Sequence, residues 1–491
     1  MNKSVRKAHD WDLGNASDAP DNHSERCTRM DRRNFMRASI GSILASEYIP
    51  LKGSPSPIPP RTQTLPSVDA SLNVGAFSLK TLRADYSKYL FEDFLPFMDQ
   101  YVVDHTYGGF MCNTDLNGAH MNTNKDTWTE GRGIWVYSFL YRHFGQEEKY
   151  LTIARKSLDL ILKTQPQKDD LWPASISREG TALTPSSHEI AGDVLVAEGL
   201  SEYAYATGEW KYWKLAKDII VKCWKIYNEP NYAPDIVAGY QGPKAFPFPG
   251  AKIQAVGMLM IVTINNMLES KDDPDLDQII SECTDAVINK HFNPEFRLNN
   301  ELLNHDYSRP TNELAQFVYT GIANETLWPI MKRAIKLQDV RLYQVAAERF
   351  KRHVEVAWDD VYGGVFRSLN NVDKDLWEVD VLCKVLWAQQ EVLNGIVLLM
   401  EQTGDTWAKD EWFGKMYTYL VKRFLLKQYG YPLWITASDR KVTFDPHSYH
   451  SSIENYHLPR HLMLTYLAID RLIANNGKPA WEATARTKDE K

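Results

Sequence analysis

The sequence predicts an all-α protein whose helices close into an (α/α)6 barrel, a toroid with short β-hairpin turns at one rim. Three observations carry this prediction. Apolar residues recur at helical spacing in about a dozen segments between roughly residues 80 and 475, as expected of helices that each turn a face to a core. No window alternates polar and apolar residues for long enough to build a major sheet. Glycine–aromatic linkers return at intervals of two helices, the period of a ring of helical hairpins. An open helical solenoid is the competing arrangement, and it would carry a tighter sequence period and polar capping repeats.

Taken in order, the chain begins with a leader, residues 1–75, that does not read as fold. Asp31, Arg32, Arg33, Asn34, Phe35, Met36 and Arg37 precede the mildly apolar A-S-I-G-S-I-L-A, and a proline-rich stretch follows from Pro55 to Pro60. Paired arginines before a weakly hydrophobic stretch resemble a bacterial twin-arginine signal, which implies export, most simply to the periplasm. Glu47 interrupts the end of the apolar part, and a cytoplasmic tail is the alternative.

Residues 76–478 form the predicted barrel, and 479–491 a polar tail. Helical spacing is read from Leu82, Ile134, Tyr150, Val194, Leu215, Ile253 and Leu276, then over Glu325–Leu337, Leu342–Trp358, Lys384–Met400, Trp412–Leu426 and His457–Ile473. The linkers are Y-G-G-F-M-C-N-T-D at Tyr107, Y-G-G-V-F-R-S-L at Tyr362 and Y-G-Y-P-L-W-I-T-A-S-D at Tyr429, with L-W-P-A-S-I-S-R-E-G at Leu171 as a looser member. Each sets glycine after an aromatic residue or closes on a turn.

Composition narrows the function classes. A net charge of -7 without a basic stripe argues against nucleic acid and anionic membrane surfaces as partners. No segment after the leader has the roughly 18 consecutive apolar residues of a membrane span. Cys27, Cys112, Cys223, Cys283 and Cys383 are scattered without C-x-x-C spacing, so neither a disulfide framework nor a zinc site is written in them. No glycine-rich phosphate loop and no convincing metal-ligand cluster is written in the sequence, so neither a cofactor nor a metal is expected.

Polar residues stranded among apolar ones are the candidates for chemistry. Arg132 lies between two glycines before I-W-V-Y-S-F, which leaves room around its guanidinium. Glu325 stands three residues before Trp328. Glu391 follows Trp387 by one helical turn and Lys384 by two, which predicts all three along one helix face. In Y-H-L-P-R, Pro459 suits a helix's first turn, so His457 and Arg460 would be held beside an opening. Singly, each charge reads equally as a surface group or a core ion pair. Together they supply acids, cations and an imidazole around one ring.

These pieces give the chain a resemblance to the N-acylglucosamine 2-epimerase family, which includes cellobiose 2-epimerases and aldose–ketose isomerases, over roughly residues 80–475. Y-G-G-F near Tyr107, W-T-E-G-R-G-I-W near Arg132, K-V-L-W-A-Q-Q-E, Y-G-G-V-F and Y-H-L-P-R carry it. The resemblance implies a reducing mono- or disaccharide as substrate, proton transfer at C2 through an enediolate, His457 as base, Glu391 and Glu325 as working carboxylates, and Arg132 and Arg460 as binders of sugar oxygens. Trp387, Trp328 and Lys384 are expected to line the substrate.

One departure stands out. The family carries histidine three residues before the glutamate of the helix that here reads G-I-A-N-E, and this chain has Ile322 there. Epimerisation needs a proton acceptor on one face of the enediolate and a donor on the other, whereas transfer from C2 to C1 runs with one base. His305, His447 and His450 are possible substitutes, each also readable as a loop histidine, and His188 reads as part of a helix start with serine caps. Two other classes stay open: a glycoside hydrolase or lyase using Glu325 and Glu391 as a carboxyl pair, and a sugar-binding protein that has lost its proton chemistry.

Overall fold

A computed structural model of the protein describes residues 73–481, apart from 168, 234–247, 370–382, 427–431, 433–434 and 438–452. By its internal contacts the chain divides into Met1–Ser67 and Val68–Lys491, and all of the described residues belong to the second unit. Residues 1–72 of the leader, most of the Tyr429 linker, His447 and His450 lie outside the described residues.

Among the described residues there are twelve long helices: α1 (Leu79–Lys88), α2 (Thr127–His143), α3 (Glu148–Ile161), α4 (Ala191–Thr207), α5 (Trp210–Tyr227), α6 (Gln254–Ser270), α7 (Pro274–Asp285), α8 (Thr320–Leu337), α9 (Val340–Ala357), α10 (Leu386–Thr403), α11 (Phe413–Arg423) and α12 (His457–Ala474). Their sequences sort them into two layers. Odd-numbered helices are amphipathic: α3 buries Tyr150, Ala154, Leu158 and Ile161 and turns its charges outward. Even-numbered helices are apolar nearly all round, as α4 and α6 are, and such a helix must be enclosed.

The even helices form the inner ring, packing α2 on α4, then α6, α8, α10 and α12, with α12 returning to α2. Each odd helix backs an inner one, and α1 lies behind α12, so the first helix of the unit seals the gap beside the last. This closure rejects the solenoid and bears out the barrel. Trp481 keeps the chain on the barrel beyond residue 478, its backbone N–H reaching the Gln402 carbonyl at 2.8 Å.

Short antiparallel pairs sit where the chain enters inner helices: Lys125–Asp126 with Ser175–Ile176 before α2, Lys252–Ile253 with Leu302–Leu303 before α6, and Cys383–Val385 with Ile435–Ala437 before α10. Two of these entries repeat one device. Lys125 Nζ reaches Asp104 Oδ2 at 3.0 Å and the Gly108 carbonyl at 2.5 Å. Lys384 Nζ reaches Asp359 Oδ2 at 2.5 Å and the Gly363 carbonyl at 2.6 Å. The turns need their glycines: Gly108 has φ +84°, and a Cβ there would meet the Lys156 carbonyl oxygen at 2.4 Å. From each lysine the same offsets then lead to Trp128 and Trp387, Glu130 and Gln389, Arg132 and Glu391.

This corrects the helix placed over Lys384–Met400. The α-helix starts at Leu386, and Lys384 lies in the strand before it, because the ion pair with Asp359 and the pairing to Ile435–Ala437 hold that backbone extended.

The repeated device yields a stability prediction. Glu130 Oε1 accepts the Phe110 N–H at 2.7 Å, as Gln389 Oε1 accepts that of Val365 at 2.9 Å. Burial pushes the Glu130 carboxyl up to about 7; in an unfolded chain it titrates at about 4.3. The folded state therefore holds a proton that the unfolded chain releases, and stability falls as pH rises through that interval. Glu130→Gln should keep the turn, since an amide can also donate to Ser157 Oγ, and should stabilise by about 1–3 kcal/mol at pH 8 with much less gain at pH 5. Thermal melts at the two pH values check this; a loss of stability at pH 8 would contradict it.

Candidate active site

The site gathers at the N-terminal halves of the inner helices. Five of the six contribute polar groups where their surroundings are otherwise apolar: Arg132 from α2, Glu198 from α4, Glu325 and Trp328 from α8, Trp387 and Glu391 from α10, His457 and Arg460 from α12. The first turn of α12 is fixed by Glu454, which accepts the Tyr456 N–H at 3.0 Å and the His457 N–H at 2.8 Å. Pro459 lies in that same turn, where no N–H is missed.

Arg460 is the hub. Its Nη2 donates to Glu325 Oε1 at 2.6 Å and Glu391 Oε1 at 2.7 Å, and its Nη1 to the Tyr456 hydroxyl at 2.8 Å. Tyr456 in turn donates to Glu198 Oε1 at 2.7 Å. Burial pushes the Glu198 carboxyl up against the pull of Arg460. Oxygens of Glu325 and Glu391 and a nitrogen of His457 lie within 4.8 Å of one another, an arrangement that suits a cation. Arg460 supplies the positive charge among them.

Glu391 takes four donors: besides Arg460, His457 Nδ1 at 3.0 Å, Trp328 Nε1 at 2.8 Å and Asn394 Nδ2 at 3.3 Å. Burial alone would raise its pKa, but Arg460 and His457 outweigh burial and hold the carboxyl well below the usual range. It is therefore an acceptor only. The shorter of the two contacts at His457 Nδ1, to Glu391 at 3.0 Å against 3.3 Å to Arg460 Nη2, assigns the ring proton to Nδ1, and the neutral imidazole then offers Nε2 as a lone pair. Arg132 Nη2 faces that lone pair at 3.5 Å. The imidazole is stacked on Trp387, with ring centroids 5.4 Å apart.

Arg132 is itself held between the rings of Trp128 and Tyr456, 4.8 and 4.7 Å from their centroids. Its Nη1 reaches Glu454 Oε1 at 3.4 Å. Ile322 lies one turn before Glu325 and is 6% exposed. The preceding Gly321 lets Trp387 approach so closely that a Cβ would stand 2.6 Å from its ring.

Seven of the eight expected residues thus come together: Arg132, Glu325, Trp328, Trp387, Glu391, His457 and Arg460. Lys384 does not join them, its ammonium being spent on the turn at Asp359 and Gly363. His305 is exposed, with Nδ1 3.2 Å from the Gly250 carbonyl oxygen. His188 is exposed before α4, where Ser187 Oγ accepts the Glu189 N–H and Glu189, not a serine, accepts the Ala191 N–H.

Sequence reasoning missed Glu198, Tyr456, Glu454, Asn394 and Trp128. Glu198 was detectable as a lone charge in V-L-V-A-E-G-L, and Trp128 as the counterpart of Trp387. Tyr456 opens the Y-H-L-P-R stretch and Glu454 lies two residues before it, neither singled out by a pattern of its own.

The carboxyl pair is unsuited to glycoside hydrolysis. That reaction needs the two groups about 5–9.5 Å apart with one able to give a proton, whereas Glu325 and Glu391 meet on one nitrogen of Arg460 and Glu391 is held ionised.

Comparisons with known proteins agree on a family. The sequence profile described as N-acylglucosamine 2-epimerase (GlcNAc 2-epimerase) matches residues 108–459. The N-acylglucosamine 2-epimerase of Bos taurus is 22% identical over 357 residues, 69% of this chain and 81% of the bovine protein. Among solved structures, cellobiose 2-epimerase from Bacillus thermoamylovorans B4167 superposes with a TM-score of 0.66 at 16% identity, over 79% of this chain and 99% of that one. A D-mannose isomerase does so with a TM-score of 0.63 at 14% identity, over 80% and 97%. At such identities the structural likeness speaks for the fold.

Replacing Lys384 tests its place in the turn. Lys384→Met strands a buried carboxylate and should cost about 3–5 kcal/mol of stability, while KM for any sugar turned over stays within about twofold of wild type. A large rise in KM without loss of melting temperature would return Lys384 to the substrate.

Proposed function

The chain belongs to the N-acylglucosamine 2-epimerase family, and from that premise we propose that it is a sugar epimerase/isomerase that moves the C2 proton of a reducing sugar, with C1 as its favoured destination. The observation that carries this reading is the bare Nε2 of His457, set by the bond from Nδ1 to an ionised Glu391 and facing Arg132.

In the open-chain aldose, His457 Nε2 takes the proton from C2 and becomes imidazolium, a charge that Glu391 stabilises across 3.0 Å. Negative charge develops on the carbonyl oxygen as the enediolate forms, and Arg132 lies where it can offset it. The same nitrogen then returns the proton. Delivery to C1 on the same face, with the O2 hydroxyl proton passing to O1, gives the ketose; an epimer would need another group to protonate C2 from the opposite face. Ile322 stands where the family has its second histidine, and an alkyl side chain cannot carry a proton. That supports one-face isomerisation as the main reaction.

Two-face epimerisation is the second reading, favoured by the names of the bovine relative and the Bacillus neighbour. A binding protein without chemistry is disfavoured by the intact set of His457, Glu391, Glu325, Arg132 and Arg460. Among the described residues no helix is long and apolar enough to cross a membrane. Export rests on the Arg32–Arg33 segment alone; fusing residues 1–75 to a folded reporter and asking where it accumulates tests that part.

Proton NMR in deuterated water, with a panel of reducing mono- and disaccharides, tests the reaction. Wild type should place deuterium at C2 and accumulate ketose, and His457→Ala should slow this by about 100-fold or more. Undiminished exchange in the variant would remove His457 from the mechanism. Ile322→His should raise the ratio of epimer to ketose by about tenfold; an unchanged ratio would mean that this position does not govern the outcome.

A further inference from the structure

Behind Glu391 runs a line of polar side chains that the reaction does not touch. Asn394 Nδ2 donates to Glu391 Oε2 at 3.3 Å, Asn394 Oδ1 lies 2.9 Å from His461 Nδ1, and His461 Nε2 lies 3.1 Å from the Tyr86 hydroxyl. Asn394 and Glu391 belong to α10, His461 to α12 and Tyr86 to α1, so the line crosses from the inner ring to the outer layer. Asn394, His461 and Tyr86 are all buried.

We propose that Asn394 and His461 are positioning residues for Glu391, forming a hydrogen-bond relay of fixed polarity that sets the plane of this carboxylate and thereby aims His457. The inference rests on the proposed role of His457 as base.

The polarity follows link by link. Glu391 is an acceptor only, so Asn394 must offer it the amide nitrogen and turn its oxygen to His461. That oxygen also accepts, so His461 carries its proton on Nδ1. Burial keeps His461 neutral, with its pKa lowered to about 3. Its Nε2 is then a bare acceptor, and Tyr86 donates to it. Thr465 Oγ, 3.4 Å from His461 Nδ1, is the other polar neighbour of that nitrogen.

The relay answers a geometric need. The terminal torsion of a glutamate is broad and settles only where its partners fix it. Oε1 of Glu391 is shared by Arg460 and His457, while Oε2 has Trp328 and Asn394. These two donors orient the carboxylate so that Oε1 meets His457 Nδ1. An Asn394 amide turned over would set oxygen against oxygen, and the N–H of His461 prevents that. Groups that orient a working side chain in this way typically matter by 10–100-fold, because small misplacements near reacting atoms are costly.

A pair of substitutions at His461 separates positioning from packing. Glutamine can still donate to Asn394 Oδ1, whereas leucine fills the space without a donor. His461→Gln should retain most of kcat, and His461→Leu should lose about 10–100-fold in kcat with KM within about threefold. If packing alone mattered, the apolar leucine would serve as well as glutamine or better. Melting temperatures of both variants show that they are folded. Nitrogen-15 NMR of wild-type His461 reads the tautomer without reference to activity and should find the proton on Nδ1. Equal kcat in the two variants, or a proton on Nε2, overturns the proposal. Wild-type protein that exchanges no sugar C2 proton would instead overturn the reading of His457, with the tautomer still reporting on the relay.

Discussion

The site depends on a guanidinium buried between two carboxylates. Taking Arg460, Glu325 and Glu391 out of water is costly, and the attraction among them offsets that cost with the help of further hydrogen bonds to the groups around them. Tyr456 and Glu198 meet one side of Arg460, and Trp328, Asn394 and His457 meet the free positions on Glu391. His457, the proposed base, is thus one of the partners of this buried charge. Its tautomer is a consequence of charge balance, and so is the bare nitrogen offered to the substrate.

The barrel makes such a cluster affordable. Six inner helices that are apolar nearly all round exclude water from the ring, and their N-terminal halves face one rim, where lysine-locked turns fix the entries to α2 and α10. The recurrence of those locks places Trp128 and Arg132 at offsets that match Trp387 and Glu391. One half of the device presents a cation and the other an anion, and His457 lies between them. At Ile322 the proposed chemistry departs from its family. An apolar side chain one turn from Glu325 takes away a proton carrier and leaves the rest of the cluster in place.

Much of this was legible in the sequence, for identifiable reasons. Helical periodicity separates the enclosed inner helices from the amphipathic outer ones, because burial on all sides demands apolar residues on all sides. Arg132, Glu325, Glu391, His457 and Arg460 were visible because a charge in an apolar run needs a partner. Who the partner is was not visible: Arg132 and His457 are 325 residues apart, and only ring closure joins them. Lys384 was misread for a related reason. Spacings of three and seven residues suit one helix face, but a lysine across a strand–helix junction has the same spacing, and the carboxylate that holds it lies 25 residues earlier. Asn394 and His461 read as ordinary helix positions until the polarity of Glu391 gives them direction.

The central claim is that one base, His457, carries a proton from C2 to C1 on a single face. The most direct test follows an aldose labelled with deuterium at C2 through its first turnovers in ordinary water, observing where the label goes. Deuterium appearing at C1 of a ketose, and only in protein with His457 intact, is the result this account predicts. An epimer as the first product, with the label lost to solvent, would contradict it and require a second proton carrier on the opposite face.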